Sequence, residues 1–315
     1  MNFSATLRLR WFCGLSAVFC GLLAKTPSTA DEPAASKIIS VWPADPPAWD
    51  APSEPERDTS DAQSNLVAGQ PLIRLGNVRK VELHVFEATD PEGKPSPTTV
   101  VICPGGGFSI LAWDLEGLEI ARQFQAGGVS AVVLKYRVPT RAMKPAWTPV
   151  LQDMQRAIAL VRAGKVTSNI PTTVGLLGFS AGGKASAHAA TAAQRAYESV
   201  DEYDAEISPP DFAALIYPAW IVEDDDPSKL RDSLAVDKNS PPMFFAHADN
   251  DPHQVLNSVT LFEKLHAAGV PAALHVFSGS GHGFGARMDG RADDLWPELC
   301  IRWIRDNGWL DASTR

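Results

Sequence analysis

From Thr98 onward the chain alternates two patterns of apolar and polar positions. Short, almost wholly apolar runs such as Thr98–Cys103, Val129–Lys135 and Thr173–Gly178 are each followed by longer stretches with apolar residues every three to four positions. An apolar run of that length predicts a strand buried on both faces. In 149–163, Val150, Leu151, Met154, Ala157, Ile158 and Val161 share one side of a helix. The same reading predicts strands over 211–217, 242–247 and 272–277, and helices over 115–126, 181–198, 254–268 and 292–307. Upstream, 71–75 is a short strand, and 79–86 sets Val81, Leu83 and Val85 against Glu82 and His84, the alternation of a half-exposed strand. Alternating strands and helices predict an α/β fold, a mostly parallel central sheet with helices on both faces, entered through an antiparallel meander.

The first residues read differently. Arg8 and Arg10 precede an apolar run from Trp11 to Ala24, and Ser28-Thr29-Ala30 supplies small residues for cleavage. This is the pattern of a signal peptide over 1–30, too short to span a bilayer, and it predicts a secreted or periplasmic protein with no stable membrane insertion after cleavage. Bulky Phe19 before Cys20 disfavours a lipid anchor there. Residues 31–68 are rich in Pro, Asp, Ser and Ala without a period, an irregular leader that Trp42 and Trp49 pin to the body. Residues 69–315 then form a single catalytic domain.

Charge and cysteine content narrow the chemistry. A net charge of −9 gains nothing from a polyphosphate backbone, which excludes nucleic acid as a natural partner. Of the four cysteines, Cys13 and Cys20 leave with the signal. Cys103 and Cys300 are too few for a disulfide framework or a tetrahedral metal site, and two separate buried thiols are favoured over a bridge between them. The chain calls for no metal or cofactor.

The chemistry lies in three loops that follow strands. Gly178-Phe179-Ser180-Ala181-Gly182 joins an apolar strand to a small-residue helix. Such a tight turn brings the residues two before and two after the serine together, so both are glycine, and it lifts the hydroxyl out of the sheet at a helix N-terminus. Ser180 is therefore the candidate nucleophile. A serine needs a base, and the base an orienting carboxylate. His282, in the glycine-rich loop 279–285, is the candidate base. The acid belongs at the end of strand 242–247, where Asp251 is favoured and Asp249 is the alternative, a loop-capping residue. His188, inside a helix, reads as packing; His84 and His275 fall in strands; His247 and His253 flank the acid loop, where a surface role is favoured and support of the acid by one of them is the alternative. After strand 98–103 comes Pro104-Gly105-Gly106-Gly107-Phe108. Its amides form a nest for a developing oxyanion, with Gly106 or Gly107 donating beside the N–H of Ala181.

Blocks at 104–108, 113–117, 133–137, 153–158, 178–183, 247–252 and 281–285 occur in the order seen in the esterase branch of the α/β-hydrolases. The resemblance covers roughly 97–310. That branch includes exported acetylxylan esterases and other carbohydrate esterases, and is similar to the hormone-sensitive-lipase-like enzymes. The resemblance implies the α/β-hydrolase fold, a triad of Ser180, Asp251 and His282, an oxyanion site of Gly106, Gly107 and Ala181, and removal of acetyl or other small acyl groups from sugars. Pro104 stands where many lipase-like members have histidine, so that loop must be supported differently. Glu116 is a loop anchor, or else a contact for a sugar hydroxyl. Arg137 pairs with a carboxylate near the sheet edge.

Residues 218–240, short and acidic, are the natural place for a small cap. The segment lacks the apolar surface of a lipid-facing lid, which favours a small soluble ester or an acetylated carbohydrate. Phe108, Trp113, Trp147 and Trp220 are the candidate substrate contacts. A peptidase or a feruloyl or lipid esterase of the same fold, and a silent polysaccharide- or protein-binding scaffold, are the alternatives.

Overall fold

A computed structural model describes residues 34–47, 49–61, 63–204 and 209–311. The signal segment 1–30, with Cys13 and Cys20, lies outside the described residues. Eight strands form the central sheet: β1 (Lys37–Ser40), β2 (Glu82–Phe86), β3 (Thr98–Cys103), β4 (Ser130–Lys135), β5 (Thr173–Phe179), β6 (Phe212–Ile216), β7 (Met243–Ala248) and β8 (Ala272–Phe277). Their spatial order is 1-2-4-3-5-6-7-8. β1 and β2 pair antiparallel, as do β2 and β4, and all later pairings are parallel. Every residue of β3 to β7 is buried, as the unbroken apolar runs require. The helices α1 (Glu119–Ala126), α2 (Thr148–Arg162), α3 (Ser180–Thr191), α4 (Leu256–Ala267) and α5 (Trp296–Asp306) follow in chain order. Among the described residues no helix is long and apolar enough to cross a membrane.

The parallel register decides where chemistry can occur. β3 and β5 run together from Thr98 opposite Thr173 to Cys103 opposite Gly178, so the glycine loop after Cys103 leaves the sheet beside Ser180. β7 and β8 end level, Ala248 opposite Phe277, which brings the Asp251 and His282 loops side by side. All the reactive candidates thus gather at the carboxyl ends of the strands.

Two expectations change. Lys37–Ser40, within the supposed irregular leader, is an edge strand on β2, and Arg57–Asp58 belongs to a small second sheet with Arg74–Gly76 and Leu111–Ala112. Such short segments carry too few residues to display a period. α3 stops at Thr191 rather than 198 because α2 captures the chain beyond it: Gln155 accepts the Ala196 N–H at 2.8 Å, and Gln152 donates to the Ala196 carbonyl at 2.9 Å.

The leader is pinned as its tryptophans suggest, through a buried ion pair. Asp153 on α2 holds Arg137, at the end of β4, with Nε and Nη2 contacts of 2.9 to 3.1 Å, both side chains fully buried. Trp42 Nε1 donates to Asp153 Oδ1 at 2.8 Å, and Arg137 Nη1 donates to the Pro47 carbonyl at 2.7 Å. The guanidinium also lies 6.0 and 5.9 Å from the Trp42 and Trp49 ring centres. Asp153→Ala leaves Arg137 buried and unpaired, and it should cost about 3–5 kcal/mol. Urea unfolding measures this; a loss under about 1 kcal/mol would mean the pair does not hold the leader.

Candidate active site

Ser180 lies at the junction of β5 and α3 with φ of +50°, the left-handed region that non-glycine residues avoid. The flanking glycines show why the turn is possible. A Cβ on Gly182 would fall 2.4 Å from the Cys103 and Pro104 carbonyl oxygens, and one on Gly178 would fall 2.2 Å from Ser186 Oγ. Ser180 Oγ lies 2.8 Å from His282 Nε2, and His282 Nδ1 lies 2.6 Å from Asp251 Oδ2. A nucleophile, an imidazole and a carboxylate therefore stand in one hydrogen-bonded line. Asp251 Oδ1 accepts the His253 N–H at 2.7 Å. Asp249 plays the capping part, taking the Gly279 N–H at 2.8 Å and the Ser278 hydroxyl at 3.2 Å.

The acid loop is more elaborate than its sequence suggests. Asp249, Asn250 and Asp251 each grip the histidine loop, Asn250 by accepting the Gly281 N–H at 2.8 Å. His247 is a correction: it is fully buried, not a surface residue. Its Nδ1 meets Ser258 Oγ at 2.8 Å, and its Nε2 lies 3.1 Å from Asp251 Oδ2, too oblique for a well-formed hydrogen bond. Burial works against ionising Asp251, but the approach of His247 and His282 and the His253 N–H outweigh it and hold the carboxyl well below the usual range. His253 also belongs to the site rather than the surface, its ring 4.6 Å from that of His282.

The glycine loop faces the same cavity. Gly106 and Gly107 adopt φ of +125° and +64° and line a cavity of about 510 Å³ with Ser180 and His282. Among the described residues, neither glycine N–H has a protein partner. Ala181 lies in the first turn of α3, where the N–H groups lack helical partners. The loop's support replaces the missing histidine. Buried Glu116 accepts the Gly105 N–H at 2.6 Å on Oε2 and the Tyr217 hydroxyl at 2.9 Å on Oε1. The Tyr217 hydroxyl in turn accepts the Gly285 N–H at 3.1 Å. Burial pushes the Glu116 carboxyl up, against the pull of these donors and of His282. Glu116 is thus a loop anchor, its carboxylate spent on protein groups. Tyr136 adds a 2.5 Å bond to the Pro104 carbonyl. Tyr217 and Tyr136 escape the sequence reading as supports of the site, although Tyr217 ends the predicted strand 211–217 and Tyr136 directly follows the predicted strand 129–135.

Of the substrate-contact candidates, Phe108, Trp147 and Trp220 line a cavity that shares Trp220 with the Ser180 cavity. Trp113 is a correction: it is buried and packs edge-on against His84 at 4.9 Å, because its N–H joins the Ile73 carbonyl and turns it to the meander side. The segment 218–240 is anchored by Asn257, whose Oδ1 accepts the Ile221 and Val222 N–H groups. Cys103 and Cys300 are separate buried thiols.

A mostly parallel sheet in this order, with a serine elbow facing an acid and a histidine from later loops, defines an α/β-hydrolase. The chain belongs to the dienelactone hydrolase family, whose model matches residues 130–300. It is similar to an acetylxylan esterase of Xylanibacter ruminicola, 24% identical over 68% of this chain, and to an endo-1,4-beta-xylanase B of Butyrivibrio fibrisolvens, 25% identical over 60% of it. The chain spans 45% of the first relative and 33% of the second. Among solved structures, it resembles an acetyl ester-xyloside bifunctional hydrolase of Caldicellulosiruptor lactoaceticus, with a TM-score of 0.61 and 25% identity over 87% of this chain and 97% of that one. Esterase 2 of Thermogutta terrifontis, bound to butyrate, shares the fold at a TM-score of 0.57 and 22% identity over 76% of this chain and 93% of its own.

Two outcomes follow. Glu116→Ala strands two buried donors, Gly105 N–H and the Tyr217 hydroxyl, and should cost about 1–3 kcal/mol for each; Glu116→Gln, which keeps acceptor capacity, should recover part of that in thermal unfolding. Asp251, with its carboxyl lowered by folding, stabilises above its unfolded pKa of about 3.9 and loses that contribution as pH falls through the folded value. The stability gap between wild type and Asp251→Asn should be full at pH 6 and narrow as pH is taken below about 4. A gap independent of pH in urea titrations would contradict the assigned ionisation.

Proposed function

We propose that this chain is an exported serine carboxylic-ester hydrolase that removes acetyl or other small acyl groups from carbohydrate such as acetylated xylan. The observation that carries the reading is the continuous line from Ser180 through His282 to Asp251, opening on a cavity edged by unpartnered glycine amides. His282 Nε2 takes the hydroxyl proton as Ser180 Oγ attacks the ester carbonyl. Asp251 steadies the imidazolium through Nδ1. The N–H of Ala181 and that of Gly106 or Gly107 hold the oxyanion, each such donor contributing about 3 kcal/mol to the transition state. His282 then protonates the leaving alcohol, and water repeats the sequence on the acyl-enzyme to release the acid.

Similarity to an acetylxylan esterase and to an acetyl ester-xyloside hydrolase supports the carbohydrate ester. Val67, Leu72, Ile110 and Leu115 give the Ser180 cavity a compact apolar wall suited to a short acyl chain. The pattern over 1–30 supports export. Acid release from acetylated xylan, small acetylated sugars, feruloyl esters, long-chain esters and peptides tests the reading. Acetyl substrates should lead, with Ser180→Ala reducing turnover about 10⁶-fold and Asp251→Asn about 10⁴-fold. Turnover retained by Ser180→Ala would sink the assignment, and a preference for long chains or peptides would sink the substrate class.

A further inference from the structure

A second cavity, of about 600 Å³, shares the Arg141 and Trp220 side chains with the cavity at Ser180. Phe108, Arg141, Lys144, Trp147, Lys184 and Trp220 line it. In a chain of net charge −9, three cations converge there. Among the described residues, none of the three stands within ion-pair distance of a carboxylate.

Arg141 and Lys184 are held by groups other than acids. Arg141 donates to the Gly107 carbonyl at 2.9 Å and lies 5.2 Å over the Trp220 ring. Lys184, one helical turn beyond Ser180, donates to the Trp220 carbonyl at 2.9 Å. Lys144 is exposed at the rim. The neighbouring carboxylates are already engaged, because Arg231 lies 2.5 Å from Asp224 and 4.0 Å from Glu223. Burial and the Arg231 charge bring Lys184 down to about 8, against the pull of Asp224 and Glu223, so it carries its proton at neutral pH. A half-buried ammonium bonded to one carbonyl keeps donors for a ligand.

The aromatic side of the cavity is equally prepared. Trp147 is stacked on His188 at 3.8 Å and 12°, which fixes its ring, and burial together with Lys184 drops His188 to about 3, so that this support stays neutral. Phe108 and Trp220 lie 6.0 Å apart and both hold φ near +60°. Rigid aromatic faces suit a sugar ring, and charge-assisted hydrogen bonds from separate cations suit a carboxylate carried on it.

We infer that this cavity is a subsite for a carboxylate-bearing sugar, a uronosyl unit carried on the same carbohydrate whose ester is cleaved at Ser180. The inference rests on the carbohydrate-esterase reading and adds an acidic neighbour to the preferred substrate. Ser180→Ala protein, titrated calorimetrically at pH 6.5 and low salt, compares a uronosyl-substituted xylo-oligosaccharide with its carboxyl methyl ester. The free acid should bind about 10-fold tighter. The preference should shrink at high salt, in Lys184→Gln, and also in Lys144→Gln, which alters only an exposed side chain. Equal binding of acid and methyl ester, or a preference untouched in both variants, would overturn the subsite. Acetate release by wild type from a neutral acetylated sugar reports separately on the esterase reading. Release without discrimination rejects the subsite alone, whereas discrimination without release rejects the esterase.

Discussion

The left-handed backbone at Ser180 is the constraint on which the rest of the site depends. A non-glycine residue held there stores strain of order 1–3 kcal/mol, and it persists only because the surroundings allow no alternative. β5 is locked between β3 and β6, α3 begins at once, and the strand and helix approach so closely that Gly178 and Gly182 have no room for a side chain. The reward is position. The hydroxyl leaves the sheet at its carboxyl edge, at the start of a helix, next to the loop that the β3–β5 register delivers from Cys103.

Around that point the site is built from short buried polar ties. Glu116 holds the glycine loop at Gly105 and, through Tyr217, the histidine loop at Gly285. Asp249, Asn250 and Asp251 fasten the acid loop to the same histidine loop from the other side. The imidazole is therefore fixed from two directions. His247 and Ser258 extend the order behind Asp251 into α4, so the acid is backed by packed structure rather than by water.

The walls of the two connected cavities divide the work differently. Near Ser180 an apolar side formed by Val67, Leu72, Ile110 and Leu115 faces polar groups that include Arg74 and His253; beyond Arg141 and Trp220 the lining brings together Lys144, Lys184, Phe108 and Trp147. Trp220 belongs to the short segment after β6, which is tied down by Asn257 instead of standing free as a lid. Substrate selection in such an arrangement comes from fixed walls. Family membership supplies the hydrolase chemistry, and these walls are where one member would differ from another.

Much of the fold was legible because its signals are local. A strand buried on both faces must be apolar throughout, a helix over it must be amphipathic, and an elbow must have glycine on both sides; each is written in neighbouring residues. Ser180, His282 and Asp251 could be named in this way, since each follows a strand and has loop-forming neighbours. Lys37–Ser40 gave no such signal, being too short for a period and made a strand by pairing with β2. Trp113 and Trp147 look alike in sequence, yet one packs on the meander and the other lines a cavity. His247, at the end of its predicted strand, reads as a surface residue and is buried against Asp251. By itself, the sequence determined the layers of the fold and singled out the candidate reactive groups, because period and turn chemistry act within a few residues. Only the tertiary structure decided which polar residues support them and which cations converge, because those contacts join segments as distant as Glu116 and Tyr217 and exist only once the sheet has set its register.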